Sequence, residues 1–89
     1  MLDKVKSSLR ILNDRFDEEI LLLINSATRD LISSGINVKY INEEKEDIQL
    51  AIITYCKANF GIDNTEFEKY TNSYQRQLEK LAIIYGGNR

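Results

Sequence analysis

The sequence predicts an all-α fold: one compact bundle of about four helices at residues 2–12, 15–34, 43–60 and 65–85, with an extended connector at 35–42. Three observations carry that expectation. Apolar residues recur at spacings of three and four through each of the four segments, which puts them on one face of a helix. Proline is absent, and Gly35, Gly61, Gly86 and Gly87 all fall where a periodic segment ends, the usual place for a helix to close. At 89 residues the chain has no room for a second domain, since domains run to roughly 100–200 residues. Residues 1–85 are expected to form a single helical domain, and 86–89 a flexible C-terminal tail.

The first segment sets Leu2, Val5, Leu9 and Leu12 on one stripe, with Lys4, Lys6 and Arg10 elsewhere, and Asn13 and Asp14 interrupt it. Asp14 or Asp17 can cap the second helix, whose first turn sets Glu18 and Glu19 against the positive end of the dipole. Its core stripe is Phe16, Ile20, Leu23, Ile24, Ala27 and Leu31. The stretch GINVKYIN mixes β-branched residues with polar/apolar alternation and is too short to find a partner strand, so it reads as an extended connector. Asn42 is the expected cap of the third helix, which carries Ile48, Ala51, Ile52, Tyr55, Cys56 and Phe60 on one face and closes at Gly61. Thr65-x-x-Glu68 reads as a capping box for the last helix, with Phe67, Tyr70, Tyr74, Leu78, Leu81, Ala82 and Tyr85 at helical spacing. The expected core is Leu9, Ile20, Leu23, Ile24, Ala27, Ile48, Ile52, Tyr55, Tyr74, Leu78 and Leu81.

Composition narrows the function. Twelve basic and 14 acidic residues leave a net charge of −2, with no general pull toward nucleic acid or anionic membrane. Histidine is absent, which removes the commonest general base, the commonest metal ligand and every Ser/His or Cys/His nucleophile pair. The reading is of a protein that is not an enzyme, with no catalytic residues, no cofactor and no metal. Cys56 cannot form an internal disulfide and sits among apolar residues as a small hydrophobe would. The longest apolar run, Ile20 to Ile24, is far short of the roughly 20 residues that cross a bilayer, and the N-terminus lacks the features of a signal peptide. A soluble protein that stays where it is made is expected.

Several clusters have both a bland and a functional reading. Glu43, Glu44, Glu46 and Asp47 spread around a helix end rather than converging on a point, so they read as a solvated, dipole-complementing N-terminus. Tyr55, Tyr70, Tyr74 and Tyr85 lack the interleaved basic residues of a base-stacking platform and read as core. Lys4, Lys6, Arg10 and Arg15 form either a solvated face or a site for an acidic partner. More informative are Leu21, Leu22, Leu50, Ile53, Ile83 and Ile84, which give three helices a second apolar flank that a short bundle cannot bury alone: either scattered exposed apolar residues of the ordinary kind or, the preferred reading, flanks that meet in a subunit interface. Asn25, Ser26, Thr28 and Thr54 interrupt those flanks, as suits an interface formed conditionally. Ile36, Val38, Tyr40 and Ile41 are too apolar for a mere joint and are expected to form an arm that contacts a neighbour, or else to fold back over the bundle.

The whole pattern resembles a family. Leu2-x-x-Val5-Lys6-x-x-Leu9-Arg10-Ile11, the acidic Asp17, the run Ile20 to Ala27 and a helix closed by Gly35 look like the N-terminal half of the small head-tail connector (head completion, or adaptor) proteins of long-tailed bacteriophages and prophages. An acidic linker, the helix IQLAIITYCKANFG and the segment Tyr74-Gln75-Arg76-Gln77-Leu78 are similar to the second half, so the likeness runs from residue 2 to 85. Many relatives place a proline before the third helix and Tyr-x-x-Arg at its end, where this chain has Glu43 to Asp47 and Asn59-Phe60-Gly61. The resemblance implies a structural protein of the virion, made in the bacterial host cytoplasm and located at the head-tail junction. Its subunits would form a ring, dodecameric on the portal, that binds after DNA packaging, extends the channel and presents a surface to a stopper or tail-completion protein. DNA would pass without sequence-specific binding, and Asp17, Glu18, Glu19, Glu43, Glu44, Glu46 and Asp47 would suit a channel wall that repels phosphates. The portal would contact the arm.

The alternative is a small helical DNA-binding or regulatory protein, such as an anti-repressor. Its best recognition helix, the last, offers Lys69, Asn72, Arg76 and Lys80 but also Glu66, Glu68 and Glu79.

Overall fold

The computed structural model describes residues 1–61 and 65–86, and among these every regular element is helical: α1 (Leu2–Leu9), α2 (Asp17–Ser33), α3 (Val38–Asn42), α4 (Glu46–Asn59) and α5 (Phe67–Tyr85). The bundle of about four helices is present, with α3 as a short addition. Of the expected tail, only Gly86 lies within the described residues.

Two ring contacts and a hydrogen bond fix the helix directions. Phe16, just before α2, meets Phe60, just after α4, edge to face at 5.5 Å, so α2 and α4 run antiparallel. Tyr85, at the end of α5, bonds Asp47 at the start of α4 at 3.0 Å, and Tyr55 meets Tyr74 midway at 5.2 Å, so α4 and α5 are also antiparallel. The core lies between these three helices and α1: Val5, Ile20, Ile24, Ala27, Leu31, Ile36, Ile48, Ala51, Ile52, Cys56, Tyr74, Leu78 and Leu81 are buried together. Leu9, Leu23 and Tyr55, expected at its centre, sit at its edge, half-buried against it.

The connector at 35–42 is not extended throughout. Asn37 caps a five-residue helix, its side-chain oxygen accepting from the Lys39 N–H at 2.9 Å, and Asn42 ends that helix instead of starting the next. Glu44, at φ 54, turns the chain, and α4 starts at Glu46. The chain before it bends for a different reason. Gly35, at φ 101, lets its N–H bond Ile32 O at 3.0 Å and the next N–H, of Ile36, reach back to Leu31 O at 3.2 Å. That left-handed closure carries the residue after the glycine onto the core residue that accepts its bond, which is why Ile36 is only 2% exposed. Ile36 is therefore a core residue of its own chain and no part of an exposed arm.

The same closure occurs after α1 without glycine. Arg10 adopts φ 60, its N–H bonds Ser7 O at 3.1 Å, and the Ile11 N–H bonds Lys6 O at 2.9 Å. Helix α1 thus stops at Leu9, and Leu12, placed by periodicity on the core stripe, is 98% exposed. Helix starts also differ from expectation. Asp14 and Asp17 do not cap α2, because both carboxylates are drawn to the Lys6 ammonium, at 3.0 and 2.8 Å. The N-cap of α5 is Glu66, so Thr65 lies one position outside the capping site.

Candidate functional site

The residues singled out in the sequence fall on three regions of the surface. The first is the outward face of α2, where Leu21 and Leu22 are exposed, Leu22 to 63%, along with Glu18, Asn25, Arg29 and Ile32. Ile20, Ile24, Ala27 and Leu31 occupy the inward stripe of the same helix and are buried, so the apolar residues beside them have no partner within the chain.

The second region is the groove between α4 and α5. Asp47, Leu50, Gln77, Lys80, Leu81 and Ile84 line a largely apolar trough of about 140 Å³. Leu81 forms its floor, while Leu50 and Ile84 are 55% and 61% exposed along its walls. Gln77 Oε1 is buried with no hydrogen-bond partner. Ile53 on α4 is half-buried against the core, and Ile83 on α5 points away from the core. The six flank residues therefore divide between a ridge on α2 and the α4/α5 side of the bundle. Thr54 does not interrupt the flank: it is buried, and its hydroxyl donates to Leu50 O at 2.9 Å.

The third region is the end of the bundle where α3, the start of α4 and the end of α5 meet. The Tyr85 hydroxyl bonds both carboxylate oxygens of Asp47 at 3.0 Å, and its ring lies on Tyr40 at 5.0 Å. The Asn37 N–H also reaches Tyr85 O, at 3.4 Å. Burial, and then the bond to Asp47, hold the Tyr85 phenol above its ordinary range. Gly86 is required here, because a Cβ would stand 2.4 Å from Ala82 O and 3.1 Å from Gly35 O. Tyr40 and Ile41 pack against the core while Val38 is exposed, so the segment lies folded on its own bundle.

The seven acidic residues named for a channel wall do not form one patch. Asp17, Glu18 and Glu19 lie at the Phe60 end of α4, and Glu43, Glu44, Glu46 and Asp47 at its start, about 20 Å away along that helix. Asp17 is paired with Lys6, whose ammonium is held above its ordinary range by the bonds to Asp17 and Asp14. Glu43 pairs with Lys45 at 3.3 Å. The basic N-terminal cluster is engaged in a similar way, for Lys4 donates to Gln49 and Arg15 lies over the Phe16 ring. The tyrosines serve packing: Tyr74 is buried against Tyr55 and donates to Asp30. Among the described residues no three of His, Cys, Asp or Glu converge as metal ligands, and no helix is long and apolar enough to cross a membrane. What the surface offers is apolar area on two separate faces, as suits binding to other proteins.

A family model described as phage connector protein matches residues 1–88. The chain belongs to the phage connector protein family. The match takes in all five helices, including the two faces just described. No curated protein and no solved structure matches the chain. Membership makes it a phage head-tail connector, a structural component of the virion.

Proposed function

We propose that this connector assembles as a ring beneath the portal once DNA is packaged, lengthens the DNA channel and gives the stopper or tail-completion protein its docking surface. The supporting observation is the pair of unpartnered apolar faces, the α2 ridge with Leu21 and Leu22 and the α4/α5 side with Leu50, Ile53 and Ile84, on a bundle whose core is otherwise complete. A ring subunit needs two different surfaces, one for each neighbour, and a closed two-fold pair needs only one. In the ring Glu19, in the first turn of α2, and Glu44, just before α4, face the channel and repel DNA phosphates. In this reading the exposed Val38 of the connector segment touches the portal or the adjacent subunit, with Tyr40 and Ile41 beside it at the edge of their own core.

In vitro head-tail joining tests the proposal. Filled heads from a phage lacking this gene are mixed with tails and purified protein. The expected result is infectious particles only when the protein is added before the stopper. Joining that proceeds equally well without it would refute the proposal.

A further inference from the structure

Helices α2 and α4 carry the same pattern on their outward faces. On α2 it is Glu18, Leu22, Asn25 and Arg29, all exposed; on α4 it is Glu46, Leu50, Ile53 and Lys57, exposed or half-exposed. The four positions stand at identical intervals, so each stripe runs from an acid to a base over eleven residues, about 16 Å of helix. Laid parallel, the stripes would set acid against acid and base against base. Laid antiparallel, they set Glu18 beside Lys57 and Arg29 beside Glu46, with Leu22 against Ile53 and Asn25 against Leu50.

Charge alone would equally allow α2 to pair with a second α2. Shape favours the mixed pair. The α2 face is a ridge, with Leu22 at its crest, whereas Leu50 borders the trough floored by Leu81 and walled by Ile84. A ridge fills a groove, and two ridges leave a gap.

We propose that the outward face of α2 in one copy seats antiparallel along the outward face of α4 in the next, beside the α4/α5 groove, with Glu18 on Lys57 and Arg29 on Glu46. The pairing rests on the ring reading above and specifies its contact. Each copy keeps a free ridge and a free groove after one contact, so the contact repeats from copy to copy.

Cysteine cross-linking tests it. Purified Leu22→Cys and Ile53→Cys chains are concentrated, mixed and mildly oxidised. The native Cys56 is fully buried, with its thiol pushed up to about 12 by that burial, and does not compete. The mixture is expected to yield a disulfide-linked mixed dimer, and a chain carrying both substitutions a ladder of multimers. Arg29→Glu in the ridge chain should abolish the mixed dimer, and Glu46→Arg in the groove chain should restore it, a rescue that misfolding could not produce. No mixed dimer, or Leu22–Leu22 dimers as the main product, overturns the pairing. The joining assay keeps the two proposals apart: tail joining without the mixed dimer refutes the pairing alone, and the mixed dimer without tail joining refutes the portal-docking reading alone.

Discussion

Tyr74→Phe removes one oxygen from the centre of the bundle and nothing else. The hydroxyl donates to Asp30 Oδ2 at 2.6 Å, joining the middle of α5 to the last turns of α2, and the side chain is 6% exposed. Hydrogen bonds to charged groups contribute about 1.5–3 kcal/mol. Asp30 is half-exposed, so water recovers part of the loss, and the ring keeps its contact with Tyr55. A cost of about 1.5–2 kcal/mol follows, a fall in Tm of roughly 6–16 °C for a domain of this size. The assay is thermal unfolding followed by circular dichroism on a cycle with Asp30→Ala, in which the two losses should overlap by about 1 kcal/mol or more. Additivity within about 0.5 kcal/mol would refute the reasoning, since the bond would then carry no energy. The pH dependence gives a second check. Burial, and then the bond to Asp30, raise the Tyr74 phenol above its ordinary 10.0. The fold thus holds the neutral form, and deprotonation favours the unfolded chain. The contribution is intact below about pH 10 and is lost as pH rises past it. The native chain should therefore lose stability more steeply above pH 10 than Tyr74→Phe does.

Three further outcomes are expected. Leu31→Ala, at a fully buried position, should cost about 2–5 kcal/mol, whereas Leu12→Ala, almost wholly exposed, should move the urea midpoint hardly at all. Cys56 should resist a thiol reagent in the folded protein and react fully in denaturant, because the thiol is inaccessible and pushed up to about 12. Tyr40→Ala should lower the melting temperature, because its ring lies on Tyr85; an unchanged melt together with lost tail joining would instead mean that the side chain acts only in the assembly.

The long helices were legible because burial repeats along them: Ile20, Ile24, Ala27 and Leu31, or Tyr74, Leu78 and Leu81, mark a face whatever happens at the ends. The ends were less legible, because they depend on competition for partners. Asp14 and Asp17 are good caps in isolation, but Lys6, brought over by α1, takes both. Arg10 closes α1 in a conformation usually left to glycine, so no glycine announced the stop. Helix α3 spans less than two turns, too short for periodicity to register, and its only local sign was Asn37 as a cap. A sign for Ile36 was available: an apolar residue directly after a closing glycine, with leucine four positions before that glycine, is the pattern that packs the two together. Of the proposed surfaces, the sequence identified the residues of the apolar flanks but not their partition into ridge and groove. That partition depends on how α4 and α5 pack.

The central claim is that this chain sits between portal and tail, and an electron cryomicroscopy reconstruction of the head-tail junction tests it most directly. Particles made with the native gene should show a ring of all-helical subunits of this size directly below the portal, with α2 of each subunit against α4 and α5 of the next. Particles lacking the gene should show a bare portal and no tail. An unchanged junction in those particles would contradict the account.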